Sequence, residues 1–342
     1  MNGLRFNLVL ASLFLITNVN ADTVFLRGGE NPVTGTILSG GWNGLMVKPD
    51  GSSSPTVLQW SRISEIESET NKQNFELFLD QGEQLWRAQE RLLRGDIQLA
   101  EPLFEKHFKE YVGSECADGF LVSEGLLRCA LSRGDLDRAV QPWLETIRHY
   151  ELGTEYQFEL LEPILDESTL LCPHLPPAWL DEESVVRLCR SYTSSPQKNA
   201  KSVASIIAGG SEIELEETLK VFEGGQFLVA IIGAAKGDSK YSEMLLSRVE
   251  DYPEWKSAWV HYFVGLGYLS KLGQQERTKG MLHLAEVAAT STRIVPWLAG
   301  DSMIRLSVEL EKEGFTQESN RVRLEAKRLF PTHPKILGDE NE

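Results

Sequence analysis

The spacing of apolar residues changes once along the chain, near residue 70. Between residues 22 and 68, short apolar runs such as 23–26 and 56–60 are separated by Gly-Gly and Asp-Gly turns, which is typical of an antiparallel meander. About 45 residues are too few for a sandwich, so a small SH3-like or related barrel is expected. After Asn71, apolar residues recur with a helical period to the C-terminus. The sequence therefore predicts a mainly α-helical protein in which a small antiparallel β module precedes the helices.

A repeat with a spacing of 39 residues lies in the helical part. Its two copies run from Arg94 through Gly95, Asp96 and Ala100 to Phe104, and from Arg133 through Gly134, Asp135 and Ala139 to Trp143. Glycine readily takes the left-handed conformation that ends a helix, and aspartate caps the next helix. The small alanine lets two helices approach, and the aromatic residue fills the groove between them. We therefore predict helical hairpins whose apolar faces are covered only when neighbours stack.

These glycine, alanine and aromatic positions resemble the tetratricopeptide-repeat family. Later copies carry other parts of that pattern, namely Gly273 with Ala285, and Gly314 with Ala326 and Pro331. The chain departs from the pattern where His107 and Thr146 replace the second alanine, and its period of 39 to 41 residues exceeds the family's usual length of about 34. The resemblance covers about half of the mature chain, that is, the chain without the signal peptide described below. It implies a right-handed α-solenoid that binds protein segments and has no enzymatic activity.

The N-terminus carries the pattern of a secretory signal peptide. Arg5 is followed by a nine-residue apolar run, and small residues precede an expected cleavage between Ala21 and Asp22. Such a run is too short to span a bilayer, which needs about 20 apolar residues. We expect an exported protein, periplasmic or secreted and soluble, without membrane insertion after cleavage. The combination of signal peptide, β module and helical repeats also resembles exported planctomycete-type bacterial proteins.

The predicted organisation has six segments. They are a signal peptide (1–21), a β-rich module (22–68), hairpins resembling tetratricopeptide repeats (69–150), an irregular proline-containing joint (151–205), further hairpins of the same kind (206–335) and an acidic tail (336–342). Residues 227–235 are apolar on nearly every side, which predicts a buried helix. Asp301 is expected to cap a helix that contains Ile304 and Val308.

Export would place four cysteines in a compartment that permits disulfides. They are Cys116, Cys129, Cys172 and Cys189. Cys172 and Cys189 flank a proline-rich turn and a short helix, and they form the candidate disulfide. Four buried, reduced thiols remain the alternative. A metal site is disfavoured because the chain has no Cys-x-x-Cys pair.

The net charge and the absence of known catalytic motifs limit the classes of function that the sequence supports. With 34 Lys and Arg against 50 Asp and Glu, the net charge of -16 disfavours a nucleic-acid partner. No His-Glu-x-x-His, Gly-x-Ser-x-Gly or phosphate-loop motif is present. We therefore predict no catalytic residue, no metal ligand and no cofactor.

An aromatic stripe at helical spacing includes Trp255, Trp259 and Tyr262. It fits either core packing between helices or a groove that binds a ligand. The first functional hypothesis is a non-catalytic interaction scaffold of the cell envelope, which holds a segment of an unknown protein partner on the concave face of the solenoid. The second is an extracytoplasmic protein that binds a carbohydrate or peptide through the aromatic stripe. The third is an enzyme of unrecognised type.

Overall fold

The chain is mainly helical and carries a small antiparallel sheet near its N-terminus. A computed structural model describes residues 22–68, 75–155, 158, 160–177, 183–209 and 223–338. The predicted signal peptide, including Ala21, and residues 339–342 of the predicted acidic tail lie outside this part. The chain divides into two compact units between Glu83 and Gln84. We call them the N-terminal unit and the C-terminal unit.

The sheet of the N-terminal unit has five strands. They are β1 Asp22–Leu26, β2 Val33–Gly41, β3 Gly44–Pro49, β4 Thr56–Leu58 and β5 Ile63–Glu67. Their order is β4-β3-β2-β1-β5, with antiparallel pairing throughout. The first four strands form the predicted meander, but β5 does not continue it. The short 3-10 turn Trp60–Arg62 leads the chain back, and β5 pairs with β1, with Ile66 opposite Val24.

Trp60 lies at the centre of the N-terminal unit. It is fully buried, its indole Nε1 donates to the carbonyl of Gly41 at 2.7 Å, and its ring stacks on Phe78 at 5.0 Å. Gly82 lies against the backbone of Trp60, where an added Cβ would stand 2.1 Å from the carbonyl oxygen. The start of the first helix can pack this closely on the sheet only because residue 82 has no side chain.

Thirteen α-helices lie in the described residues. They are α1 Glu76–Leu93, α2 Ile97–Tyr111, α3 Ala117–Ser132, α4 Leu136–Leu152, α5 Glu183–Tyr192, α6 Lys198–Ile207, α7 Glu223–Ala235, α8 Ser239–Leu246, α9 Glu254–Leu269, α10 Gln274–Thr290, α11 Pro296–Lys312, α12 Thr316–Leu329 and α13 Pro334–Gly338. In the C-terminal unit, helices pack mainly against their neighbours in sequence, such as α2 on α3, α9 on α10 and α11 on α12. No helix within the described part is both long and apolar enough to cross a membrane.

The two copies of the repeat form similar turns. Gly95 and Gly134 have φ angles of 82° and 71°, so each supplies the left-handed residue between two helices. Asp135 caps α4, and its carboxylate accepts a hydrogen bond from the backbone nitrogen of Arg138. Asp96 occupies the same position before α2 without a side-chain cap hydrogen bond.

The packing residues of the repeat are buried. Ala100, Ala139 and Phe104 are fully covered, and Trp143 is nearly so. A small residue followed by a large aromatic one therefore fills the space between neighbouring helices, which is the arrangement on which the resemblance depends.

An ion pair links the turn of the second copy to the preceding hairpin. The guanidinium of Arg133, in the turn between α3 and α4, donates from Nη1 to Oε2 of Glu101 on α2 at 2.5 Å. Glu101 is buried, and Arg138 on α4 adds a longer contact of 3.8 Å to its other oxygen. The arginine of the Arg-Gly-Asp sequence thus neutralises a buried carboxylate of its neighbour.

The later residues of the pattern also lie at turns or in contacts between helices. Gly273, with a φ of 133°, precedes α10, and Gly314, with a φ of 87°, separates α11 from α12. Ala326 on α12 is fully buried, and Pro331 follows that helix in an exposed position.

The prediction that Asp301 caps a helix is wrong. This residue does not cap a helix, because α11 already begins at Pro296, a residue whose fixed φ suits the first helical turn. Asp301 lies in the second turn of α11 and is fully buried.

Candidate functional site

A cavity of about 590 Å³ lies between α7, α9 and α11 of the C-terminal unit. We call it the α7–α9–α11 cavity. Its walls are mainly aliphatic: they are formed by Ile232, Ala235, Leu266, Leu269, Ile304 and Val308. The helix predicted over residues 227–235 contributes to it as part of α7, in which Phe227, Leu228 and Ile231 are buried.

The rim of this cavity is basic, although the chain as a whole is acidic. Four cationic side chains line it, against the single carboxylate of Glu309; they are Lys236, Arg305, Lys312 and Lys335. Lys312 donates to Glu309 at 2.6 Å, whereas Lys236 is exposed and has no ion pair among the described residues. This local excess of positive charge favours a ligand with an acidic group.

Asp301 does not line the cavity, but its carboxylate binds three side chains that do. Its carboxylate accepts hydrogen bonds from the Tyr262 hydroxyl and from Nε of Arg305, the latter at 2.6 Å, and it forms an ion pair with Lys335. Burial alone would raise the pKa of Asp301, but Arg305 and Lys335 outweigh it and hold that pKa below its usual value. Burial, assisted by the negative charge of Asp301, raises the pKa of Tyr262 well above its usual value.

The structure places all three aromatic residues of the predicted stripe in one buried apolar cluster. Tyr262 contributes to the α7–α9–α11 cavity, although its hydroxyl is occupied by Asp301. Trp259 is fully buried, and its ring stacks on that of Phe227 with the centroids 6.2 Å apart. Its Nε1 donates a hydrogen bond to the carbonyl oxygen of Pro173 at 3.1 Å. Trp255 packs edge-on against Trp259 in the same core. All three candidate ligand aromatics are therefore core residues, because α9 is surrounded by neighbouring helices, and Tyr262 is the one of them that also lines the α7–α9–α11 cavity.

All four cysteines are buried and reduced. Cys172 and Cys189 belong to the same apolar cluster but are not bonded to each other. Burial raises the pKa of each of these two thiols to about 12, which keeps the unreactive protonated form.

The fold brings together two histidines that the sequence analysis treated as scattered. Nδ1 of His261 on α9 lies 2.9 Å from Nδ1 of His283 on α10. Burial and the neighbouring His261 lower the pKa of His283 to about 4. Both rings line a second cavity of about 580 Å³. Their positions could have been found from the hairpin itself, because each lies eleven residues from Leu272 in the turn.

A third cavity of about 460 Å³ lies beside α3 and the start of α11, and it is lined by residues that include Arg128, His174 and Trp297. Across the described ranges, no group of three or more His, Cys, Asp and Glu side chains surrounds a common point where a metal ion could sit. Comparison with known proteins gives no match for the chain among protein-family models, curated proteins or solved structures.

Proposed function

We propose that this protein is a non-catalytic binding protein of the cell envelope, whose helical hairpins form an α-solenoid that holds a segment of a partner protein. The predicted signal peptide supports the location, and the repeat at Gly95 and Gly134 supports the solenoid. The strand order, together with the 3-10 turn before β5, supports an SH3-like barrel for the N-terminal unit.

The observation that carries the proposal is the α7–α9–α11 cavity. Its aliphatic walls can bury an apolar side chain, and its basic rim can pair with an acidic residue next to that side chain. We therefore propose a partner segment that combines apolar and acidic residues. Because the rest of the chain is acidic, such a segment would be attracted mainly to this rim.

The chemistry of Asp301 and Tyr262 supports a role without catalysis. A carboxylate with a lowered pKa is a weak base, and a phenol with a raised pKa is a weak acid. The Tyr262 hydroxyl also donates a hydrogen bond to the Asp301 carboxylate. They are therefore suited to holding Arg305 and Lys335 in place at the rim, and less suited to proton transfer.

The test is crosslinking in the native envelope, followed by capture with the purified protein. Val308 lines the cavity and is 39% exposed, so Val308→Glu places a repelling charge there without burying it. Leu324→Glu is the matched control, because Leu324 is 69% exposed on α12 and does not line this cavity. We expect the first variant to lose the partner and the second to keep it. Equal capture by both variants, or no specific partner, would contradict the proposal.

A small ligand is the second candidate, and the cavity volume favours it. A space of about 590 Å³ is within the range of small-molecule sites. Thermal unfolding with panels of acidic peptides and glycans separates the two candidates. If a glycan stabilised the wild-type protein and Val308→Glu abolished this stabilisation, the carbohydrate alternative would be favoured over a partner segment.

A further inference from the structure

We infer that residues 339–342 of this chain bind the basic rim of the α7–α9–α11 cavity, so that the protein covers its own site. We call these residues the 339–342 segment. They read Asp-Glu-Asn-Glu and carry three negative charges. They follow α13 directly in the sequence, and α13 carries Lys335, one of the cations that line the cavity. An acidic segment therefore begins beside a basic rim.

The rim keeps a surplus of positive charge after its own ion pairs are counted. Four cationic side chains line it, and two carboxylates offset them, those of Glu309 and Asp301. Two positive charges remain. Arg305 and Lys335 share Asp301, whereas Lys236 is exposed and has no ion pair among the described residues. Because the chain as a whole has a net charge of -16, this local surplus favours contact with an acidic segment.

The chain leaves α13 close to the rim. Gly338 ends α13 and follows Lys335 by three residues, which corresponds to a rise of about 4.5 Å along the helix axis. Four extended residues span up to about 14 Å, whereas a spherical space with the volume of this cavity is about 10 Å across. The 339–342 segment is therefore long enough to cross the cavity and reach Lys236, which follows the end of α7.

Attachment to the same chain favours this contact over binding of a separate acidic segment. A short flexible connection gives an effective concentration in the millimolar range, so ion pairs that are individually weak are sufficient for the contact. A partner segment must displace the 339–342 segment in order to pair with the rim. This competition rests on the proposed function of the cavity, whereas the contact itself does not.

The reactivity of Lys236 toward uncharged N-hydroxysuccinimide acetate tests the inference. The neutral variant of the segment is Asp339→Asn/Glu340→Gln/Glu342→Gln. At low ionic strength, Lys236 should be acetylated about two- to fivefold faster in this variant than in the wild type, because the paired ammonium group is shielded. Lys240 is the internal control, since it is exposed on α8 and does not line the cavity. Peptide mass spectrometry measures both rates in one sample, and equal rates at Lys236 in the two proteins would overturn the inference.

Carbodiimide crosslinking identifies the group that pairs with Lys236. In an equal mixture of isotope-labelled and unlabelled wild-type protein, the crosslink between Lys236 and the 339–342 segment should join peptides of the same isotope content. Crosslinked peptides of mixed isotope content would assign the contact to a second copy of the chain, and the inference would be overturned. The absence of any crosslink between Lys236 and the segment would overturn it as well.

Capture from the native envelope separates this inference from the proposed function. The neutral variant should capture more partner than the wild type, and equal capture would show that the segment does not compete. If Val308→Glu loses the partner while Lys236 reacts equally in the wild type and the neutral variant, the proposed function stands and the inference is wrong. If Lys236 is shielded but no specific partner is captured, the inference stands and the proposed function is wrong.

Discussion

The ring of Phe104 on α2 occupies the space beside Gly125 on α3. A Cβ added at Gly125 would lie 2.4 Å from Cζ of Phe104, which is fully buried. The aromatic residue of the repeat therefore packs into a gap on the next helix that exists only because residue 125 is glycine.

Gly125→Ala should destabilise the protein through this contact. Alanine favours a helix by up to about 1 kcal/mol over glycine, but overpacking a core costs about 1–3 kcal/mol, so we expect a net loss. Urea unfolding measures it. The double variant Phe104→Leu/Gly125→Ala should lose less than the sum of the two single variants, because leucine vacates the space. Strict additivity would show that the two residues do not compete for it.

His149 should make stability depend on pH. It is fully buried against Phe120, and burial, followed by the charge of Arg148, lowers its pKa from 6.5 to about 3. Between about pH 3 and pH 6.5, the unfolded chain therefore binds a proton at His149 that the native state does not bind. The resulting stability is fully present above about pH 6.5 and is lost as pH falls, by at most about 1.4 kcal/mol per pH unit.

Urea unfolding at neutral pH and at about pH 5 measures this dependence. His149→Gln should have a shallower dependence than the wild type by about one bound proton, whatever its stability at neutral pH. Parallel pH profiles for the two proteins would rule out a neutral, buried His149.

Variants of Trp259 test whether this residue is part of the core or anchors a ligand. Because it is fully buried and hydrogen-bonded to Pro173, Trp259→Ala should cost about 3–5 kcal/mol of unfolding free energy. Trp259→Phe, which keeps an aromatic ring and loses the hydrogen bond, should cost about 1–2 kcal/mol. Calorimetric unfolding measures both. If Trp259→Phe were as stable as the wild type but no longer bound a partner, the ligand-groove hypothesis would be restored.

The cysteines should be unreactive in the native protein. All four are buried, and the raised pKa of Cys172 and Cys189 leaves almost no thiolate at neutral pH. A thiol reagent should react slowly with the folded chain and should count four thiols after denaturation without reductant. A count of two under those conditions would instead indicate one disulfide, for which Cys172 and Cys189 are the candidate pair.

Local rules predicted the parts of the fold that depend on a few adjacent residues. The turns at Gly95 and Gly134 follow from the conformational freedom of glycine, and the structure places a left-handed residue at both. The pairing of β5 with β1 could not be predicted in this way, because it joins residues such as Thr23 and Glu67 from opposite ends of the module.

The chemistry of the candidate sites depended on contacts between distant residues. Asp301 was assigned to a helix cap from its residue type, yet Tyr262 and Lys335 surround it in the fold. A carboxylate is compatible with both environments, so residue type alone does not separate them. His261 and His283 are different, since their equal distances from Leu272 in the turn contain the information that an antiparallel hairpin would bring them together.

The pairing of β1 with β5 also sets an order of assembly during synthesis. Thr23 is among the first described residues to leave the ribosome, but its partner Glu67 follows more than forty residues later. The hairpin of β2 and β3 can close within a few residues, whereas one edge of β1 stays open until the chain has passed Glu67. The first of the described strands to be made thus keeps one edge unpaired until β5 follows, and for that interval this edge is open to pairing with another molecule.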